Sequence, residues 1–183
     1  NDTRNEVRLQ RLGSRTWLAV PEPPTTAWPK LKQFFADNGV GFAYEDTSQG
    51  RLNTVWLALD ADQYRDIVRA SLVEAKQEDA LSAGKDRLLI RVEQGLQPTA
   101  TEVHVRHEND LRGVPAADDS VLLNGVTSDS SAAESKLLSE IGAYIAARVA
   151  ESTVSRVALE LGSGATTVVG RNSAGHPVLR RVL

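Results

Sequence analysis

Along this chain the apolar residues change their period several times, and each change marks an element. Thr16-Trp17-Leu18-Ala19-Val20 is a compact apolar run halted by Pro21-Glu22-Pro23-Pro24, which reads as a strand and a turn. Before it, Val7, Leu9 and Leu12 are interleaved with Glu6, Arg8 and Arg11, a pattern compatible with a short strand or a partly ordered lead-in. Trp28, Leu31, Phe34 and Phe35 then recur three and four apart, so they share one face of a helix over 26–38. Thr25 or Thr26 would cap it, Pro29 would fall in its first turn, and Asn38-Gly39 would stop it. Val40, Phe42 and Tyr44 alternate, a polar turn spans 45–50, and the run 52–59 follows, which predicts a hairpin. Tyr64, Ile67, Val68, Leu72 and Ala75 return to helical spacing and predict three or four turns ending at Ala83-Gly84.

A second hairpin has the clearest alternation. Leu88, Ile90 and Val92 face one way, and the turn 94–98 leads into a run where Val103 and Val105 oppose Glu102, His104 and Arg106. Such a pattern means a sheet with one wet face. Residues 108–130 are loop-like apart from Val121-Leu122-Leu123. Ser130 or Ser131 then caps a helix over 131–150, with Glu134 as the capping-box acid. Leu137, Leu138, Ile141, Tyr144, Ile145 and Val149 form its apolar stripe. Beyond Glu151 the pattern reads as a strand or linker, then a Gly-rich stretch and a short apolar tail. Together these elements predict an α+β protein, with an antiparallel sheet packed by the long C-terminal helix and a shorter one.

Composition narrows the picture by exclusion. A net charge of −3 gives no basic face for nucleic acid, and no basic amphipathic helix suggests a membrane surface. With no Cys among 183 residues, disulfides, thiolate metal sites and cysteine nucleophiles are out of reach. The chain begins at Asn1 and holds no Met, so a signal peptide or lipid-attachment Cys is expected to lie outside it.

Candidate chemistry is sparse. His104 and His107 stand three apart on a strand, which puts them on opposite faces and argues against a shared metal. His104 is expected on the solvated face, His107 at the sheet end, and His176 in a Gly-His-Pro turn. The acid pairs Glu45-Asp46, Asp60/Asp62 and Asp118-Asp119 fall in turns or helix starts, where acids serve local capping. Gly162-Ser163-Gly164 lacks the Lys of a phosphate loop, and no Gly-x-Ser-x-Gly elbow exists. No catalytic, cofactor or metal constellation is therefore expected.

The order of these features carries a resemblance. An apolar strand, an Ala-Trp-Pro helix, an acidic turn with Gln-Gly and a strand with Trp appear as WLAVPEPPTTAWPKLKQFFADNGVGFAYEDTSQGRLNTVWLAL over 17–59. This series resembles the repeated unit of the BamC (NlpB) lipoprotein family. The stretch 86–107, DRLLIRVEQGLQPTATEVHVRH, is similar to that unit's second hairpin, and 131–150 to its closing helix. The tail NSAGHPVLRRVL resembles the entry into the family's second copy of the unit, whereas 60–84 departs from the pattern in being longer and more helical.

The resemblance implies a helix-grip domain over 15–150, with residues 1–14 as a lead-in and 151–183 as a linker and truncated start of a second domain. It implies a non-enzymatic accessory lipoprotein on the periplasmic face of the outer membrane, held there by a lipid anchor outside this chain. Its partners would be other subunits of the machinery that assembles outer-membrane β-barrel proteins, met through a stretch preceding Asn1 and through exposed faces. Arg87, Arg91, Glu102, His104 and Arg106 on the wet strand face, and Lys136, Glu140 and Arg148 along the long helix, are the candidate partner surface. The runner-up is a small-molecule or lipid-binding domain, with a ligand held between helix and sheet.

Overall fold

Strand alternation resolves into one antiparallel sheet with every helix on the same side. The computed structural model describes residues 6–59, 66–112 and 128–162, the stretch 151–162 as backbone helix. In chain order the elements are β1 (Arg8–Leu12), β2 (Arg15–Val20), α1 (Pro24–Asp37), β3 (Phe42–Asp46), β4 (Arg51–Thr54), α2 (Ile67–Glu78), β5 (Asp86–Gln94), β6 (Thr101–Asn109) and α3 (Ser131–Gly162). The six strands lie in the order β1-β2-β6-β5-β4-β3, each pair antiparallel. The expected α+β layer structure, with its long C-terminal helix across the sheet, is the one observed. Tyr64, Val121-Leu122-Leu123, the acids at 60, 62, 118 and 119, His176 and the tail from 163 onward lie outside the described residues.

The two faces of β5 and β6 follow the pleat. Leu88, Ile90 and Val92 on β5 and Val103 and Val105 on β6 point to the helices and join the core with Leu18, Val20 and Leu52. From above, α1 contributes Leu31, Phe34 and Phe35, α2 contributes Val68, Leu72 and Ala75, and α3 contributes Leu137, Leu138, Ile141 and Ile145. Each Leu, Ile or Phe taken out of water here stabilises by about 1.5–3 kcal/mol. Trp28, on the same helix face as Leu31, is partly buried and packs against this core. Edge-on ring contacts link Phe34 to Phe35 and to Tyr144, and Phe35 to Phe42, at 5.1–5.6 Å between centroids. Helix α3 lies so close to β2 that a Cβ on Gly142 would stand 2.8 Å from a methyl of Leu18.

Local chemistry moved several boundaries. The lead-in pattern of 8–12 is a strand at the sheet edge, paired to β2. Helix α1 starts at Pro24 with Pro23 at the cap and no side-chain cap, so Thr25 and Thr26 are inside it. Pro29 therefore lies in the body of the helix rather than its first turn; it lacks the amide that would bond to the Thr25 carbonyl, and both residues are solvent-exposed. The run expected over 52–59 is regular only to Thr54, after which Leu57 makes a lone bridge to Asp86. Helix α2 stops at Glu78, before the expected Ala83-Gly84, because Asp79 turns away to serve another helix and Ala80 takes φ 53°. Ile67, counted on its apolar face, is 51% exposed. Helix α3 runs on to Gly162, past the point where its apolar stripe ends.

Candidate functional site

The wet face of the sheet carries five of the candidate residues in adjacent rows. Register puts Glu93 opposite Glu102, Arg91 opposite His104, Leu89 opposite Arg106 and Arg87 opposite Glu108. These side chains satisfy one another laterally. Glu108 accepts from Arg87 on one side and lies 2.8 Å from Arg106 on the other. The Arg87 guanidinium also covers the Trp56 ring at 4.8 Å, and Trp17 stacks on the His104 imidazole at 6.1 Å. The face is consequently drier than alternation alone suggests: Arg106 is 7% and Glu108 2% exposed. Arg87, Arg91, Glu102 and His104 keep more of their surface.

The second candidate patch splits. Lys136 bridges Glu74 and Glu78 of α2, which holds its ammonium charged and its pKa above the usual value. Arg148 lies over the Tyr144 ring at 3.4 Å and donates to the Tyr144 carbonyl. The Tyr144 hydroxyl in turn donates to Asp37, whose carboxyl is held below its usual range first by Gln33 and then by this bond. Glu140 stands between the two and lines an open cleft of about 440 Å³ with Phe34, Asp37, Ile67, Ala143 and Tyr144. Lys136 and Arg148 are thus separate features of one helix, each tied to a different neighbour.

A third cluster escaped the sequence reading. His107 is fully buried on the helix side, at the end of the sheet. Its Nδ1 accepts the Ser130 backbone N–H at 3.1 Å, so the ring hydrogen sits on Nε2 and goes to Asp86 Oδ1 at 2.8 Å. Asp86 also accepts from Lys76 Nζ at 2.6 Å and from Asn109 Nδ2 at 3.1 Å. Lys76, Asp86 and Asn109 are themselves 2% exposed or less. Asp79 closes the network by accepting from the Ser130 hydroxyl at 2.7 Å and the Ala132 N–H at 3.3 Å.

Although Ser130, His107 and Asp86 form a chain, it is not a nucleophilic triad. A base must take its proton from the serine hydroxyl. Here the imidazole meets the backbone nitrogen, while Ser130 Oγ donates to Asp79 and accepts the Ala133 N–H as the α3 cap. What the arrangement does is tie α2, β5, β6 and α3 together at one buried point. It also replaces the expected capping box: Glu134 accepts from Ser128 Oγ, and the cap residue's own N–H goes to His107. Asn38 plays a similar double part elsewhere, donating to the Phe34 carbonyl and accepting from the Ile67 and Val68 amides, so it ends α1 and adds to the Asp66 cap of α2. Burial of these residues was not legible, because Lys, Asp, His and Asn normally mean surface.

The acid turn Glu45-Asp46 fits its local reading. Asp46 accepts from Ser48 Oγ and the Gln49 N–H, and these bonds lower its pKa. The expected opposition of His104 and His107 across the sheet is also observed. No described helix is long and apolar enough to cross a membrane.

No protein-family model matches the chain. Over 103 residues, 56% of its length, it is 28% identical to the "Outer membrane protein assembly factor BamC" of Thiobacillus denitrificans, covering 28% of that protein. Over 91 residues, 49% of its length, it is 34% identical to an uncharacterized protein of Neisseria meningitidis serogroup B, covering 23% of that one. The chain thus spans about a quarter of the length of these curated relatives. Direct comparison thus also finds a similarity to a BamC protein, over about half of this chain.

Proposed function

We propose that this chain is an interaction module of outer-membrane protein assembly, a non-enzymatic part of an accessory lipoprotein that acts by protein–protein contacts. The observation that carries this reading is the similarity to an outer membrane protein assembly factor over 103 residues. The packing supports it. The space between helices and sheet, where a ligand-binding relative would hold its guest, is filled by one continuous cluster of buried side chains among the described residues. Among the described residues, the buried constellation that resembles catalytic machinery has its hydroxyl committed to a cap.

On this reading the full-length protein is anchored by lipid at the periplasmic face of the outer membrane. Its partners are other subunits of the assembly complex. The module offers them the outer sheet face, through Arg87, Arg91, Glu102 and His104 beside the Arg106–Glu108 pair, and the half-buried positions Lys136, Glu140 and Arg148 of α3. The mixed charges make this contact salt-sensitive, since exposed ion pairs are screened within a Debye length.

A photo-crosslinking residue placed at Glu102 or Glu140 of the full-length protein, in the cells that make it, tests the proposal. Crosslinks to outer-membrane assembly subunits from either position are expected. Co-purification of a stoichiometric lipid or small molecule, with no assembly subunit captured, would replace this reading with the ligand-binding one.

A further inference from the structure

His104 and His107 face opposite sides of the sheet, but the neighbouring strand brings other donor groups beside His104. On the outer face β5 brings Glu93 directly opposite Glu102, and Glu102 stands two residues before His104 on the same side. One ligand atom from each of Glu93, Glu102 and His104 lies within 4.8 Å of the others. From these positions the geometry points to a divalent transition-metal site, suited to zinc, on the outer face of the sheet.

Four features carry it. Two like charges set directly opposite on paired strands repel, and an ion of double positive charge between them removes that cost. The donor set, one imidazole and two carboxylates, is the nitrogen and oxygen chemistry that zinc accepts at about 2.0–2.2 Å, with a fourth position left to water. His104 Nε2 already meets Glu102 Oε1 at 3.2 Å in a hydrogen bond, so the two donors stand side by side and the metal would take the place of the shared hydrogen. The Trp17 ring stacked on His104 fixes the plane of the imidazole, so the side chain gives up little freedom on binding.

Glu93 adds a further detail. Its Oε2 is shielded from solvent yet makes no hydrogen bond, and its nearest counter-charge, Arg91 Nε, is 4.0 Å away and equally without a hydrogen bond. Arg91 therefore competes with the metal for this carboxylate, and imperfectly. The site predicts opposite signs for neighbouring substitutions, which a general surface affinity for zinc does not.

The test is calorimetric titration of the tag-free chain with zinc chloride in a non-coordinating buffer. One zinc per chain is expected. His104→Gln and Glu102→Gln weaken binding by about tenfold or more, as does Trp17→Ala through the orientation of His104. Arg91→Gln tightens it. Melting curves without metal, matched to the parent chain, show that each variant is folded. Absence of one-to-one binding overturns the site, and so does an affinity that is unchanged in His104→Gln.

Discussion

Strands β5 and β6 present the same pair of backbones to two different worlds. On the helix side they offer Leu88, Ile90, Val92, Val103 and Val105, all 6% exposed or less. On the other side Arg87, Arg91, Glu93, Glu102, His104, Arg106 and Glu108 pair among themselves. The inner face is fixed by exclusion of water, which is non-directional and grows with area. The outer face is fixed by geometry between charges and rings, each worth little while solvent remains near. The buried network at the sheet's end is the point where the two kinds of organisation meet. There a set of charges is taken fully inside, so its members depend on one another.

The contrast is sharpest at Asp86. Asp86→Ala removes the acceptor shared by Lys76, His107 and Asn109 and leaves a buried ammonium without its counter-charge. A loss of about 3–5 kcal/mol is expected in denaturant titration. A loss near that of a surface residue would mean that Lys76 escapes to water.

In the apolar layer, Ile141→Ala should cost about 2–5 kcal/mol, since Ile141 is fully buried where α3 crosses the sheet. A cost below about 0.5 kcal/mol, the range of surface substitutions, would break the layer arrangement.

On the outer face, Arg91→Ala should cost under about 1 kcal/mol, because its pair with Glu93 is 4.0 Å long and makes no hydrogen bond. Parity with Ile141→Ala would erase the distinction between the faces.

The smallest effect concerns pH. Burial pushes the Glu134 carboxyl above its usual value, against the opposing Ser128 hydrogen bond. The folded state thus holds this proton more tightly than the unfolded one. The contribution is present below the ordinary carboxylate pKa and is lost as pH rises through the raised one. Glu134→Gln should remove that slope just above the ordinary range, as read from melting temperature against pH and from the Glu134 carboxyl signal in NMR.

Periodicity alone was enough for most of the elements, but not beyond Glu151, where the expected strand or linker is a continuation of α3 to Gly162. Leu137, Leu138, Ile141 and Ile145 name the buried stripe of α3, and the alternation of 88–92 and 103–105 names the inner face, because a fixed backbone period projects residues onto fixed sides. The Asx turn at Asp46 was equally legible, being complete within four residues. The candidate outer-face residues were found on the side expected, but their partners across strands were not readable before register was known.

What the sequence by itself determined is therefore local: which stretches are helix or strand, which face is apolar, and an order of motifs that resembles one family. Tertiary structure alone decided the rest. It chose Asp79 and His107, not Glu134, to complete the start of α3, and brought Asn38 against the first amide of a helix that begins 29 residues further on. It set Glu93 against Glu102 and buried Lys76 with Asp86. A polar side chain's partner depends on distance and direction in space, whereas burial of an apolar one needs only the correct face, and only the second is written in a periodic pattern.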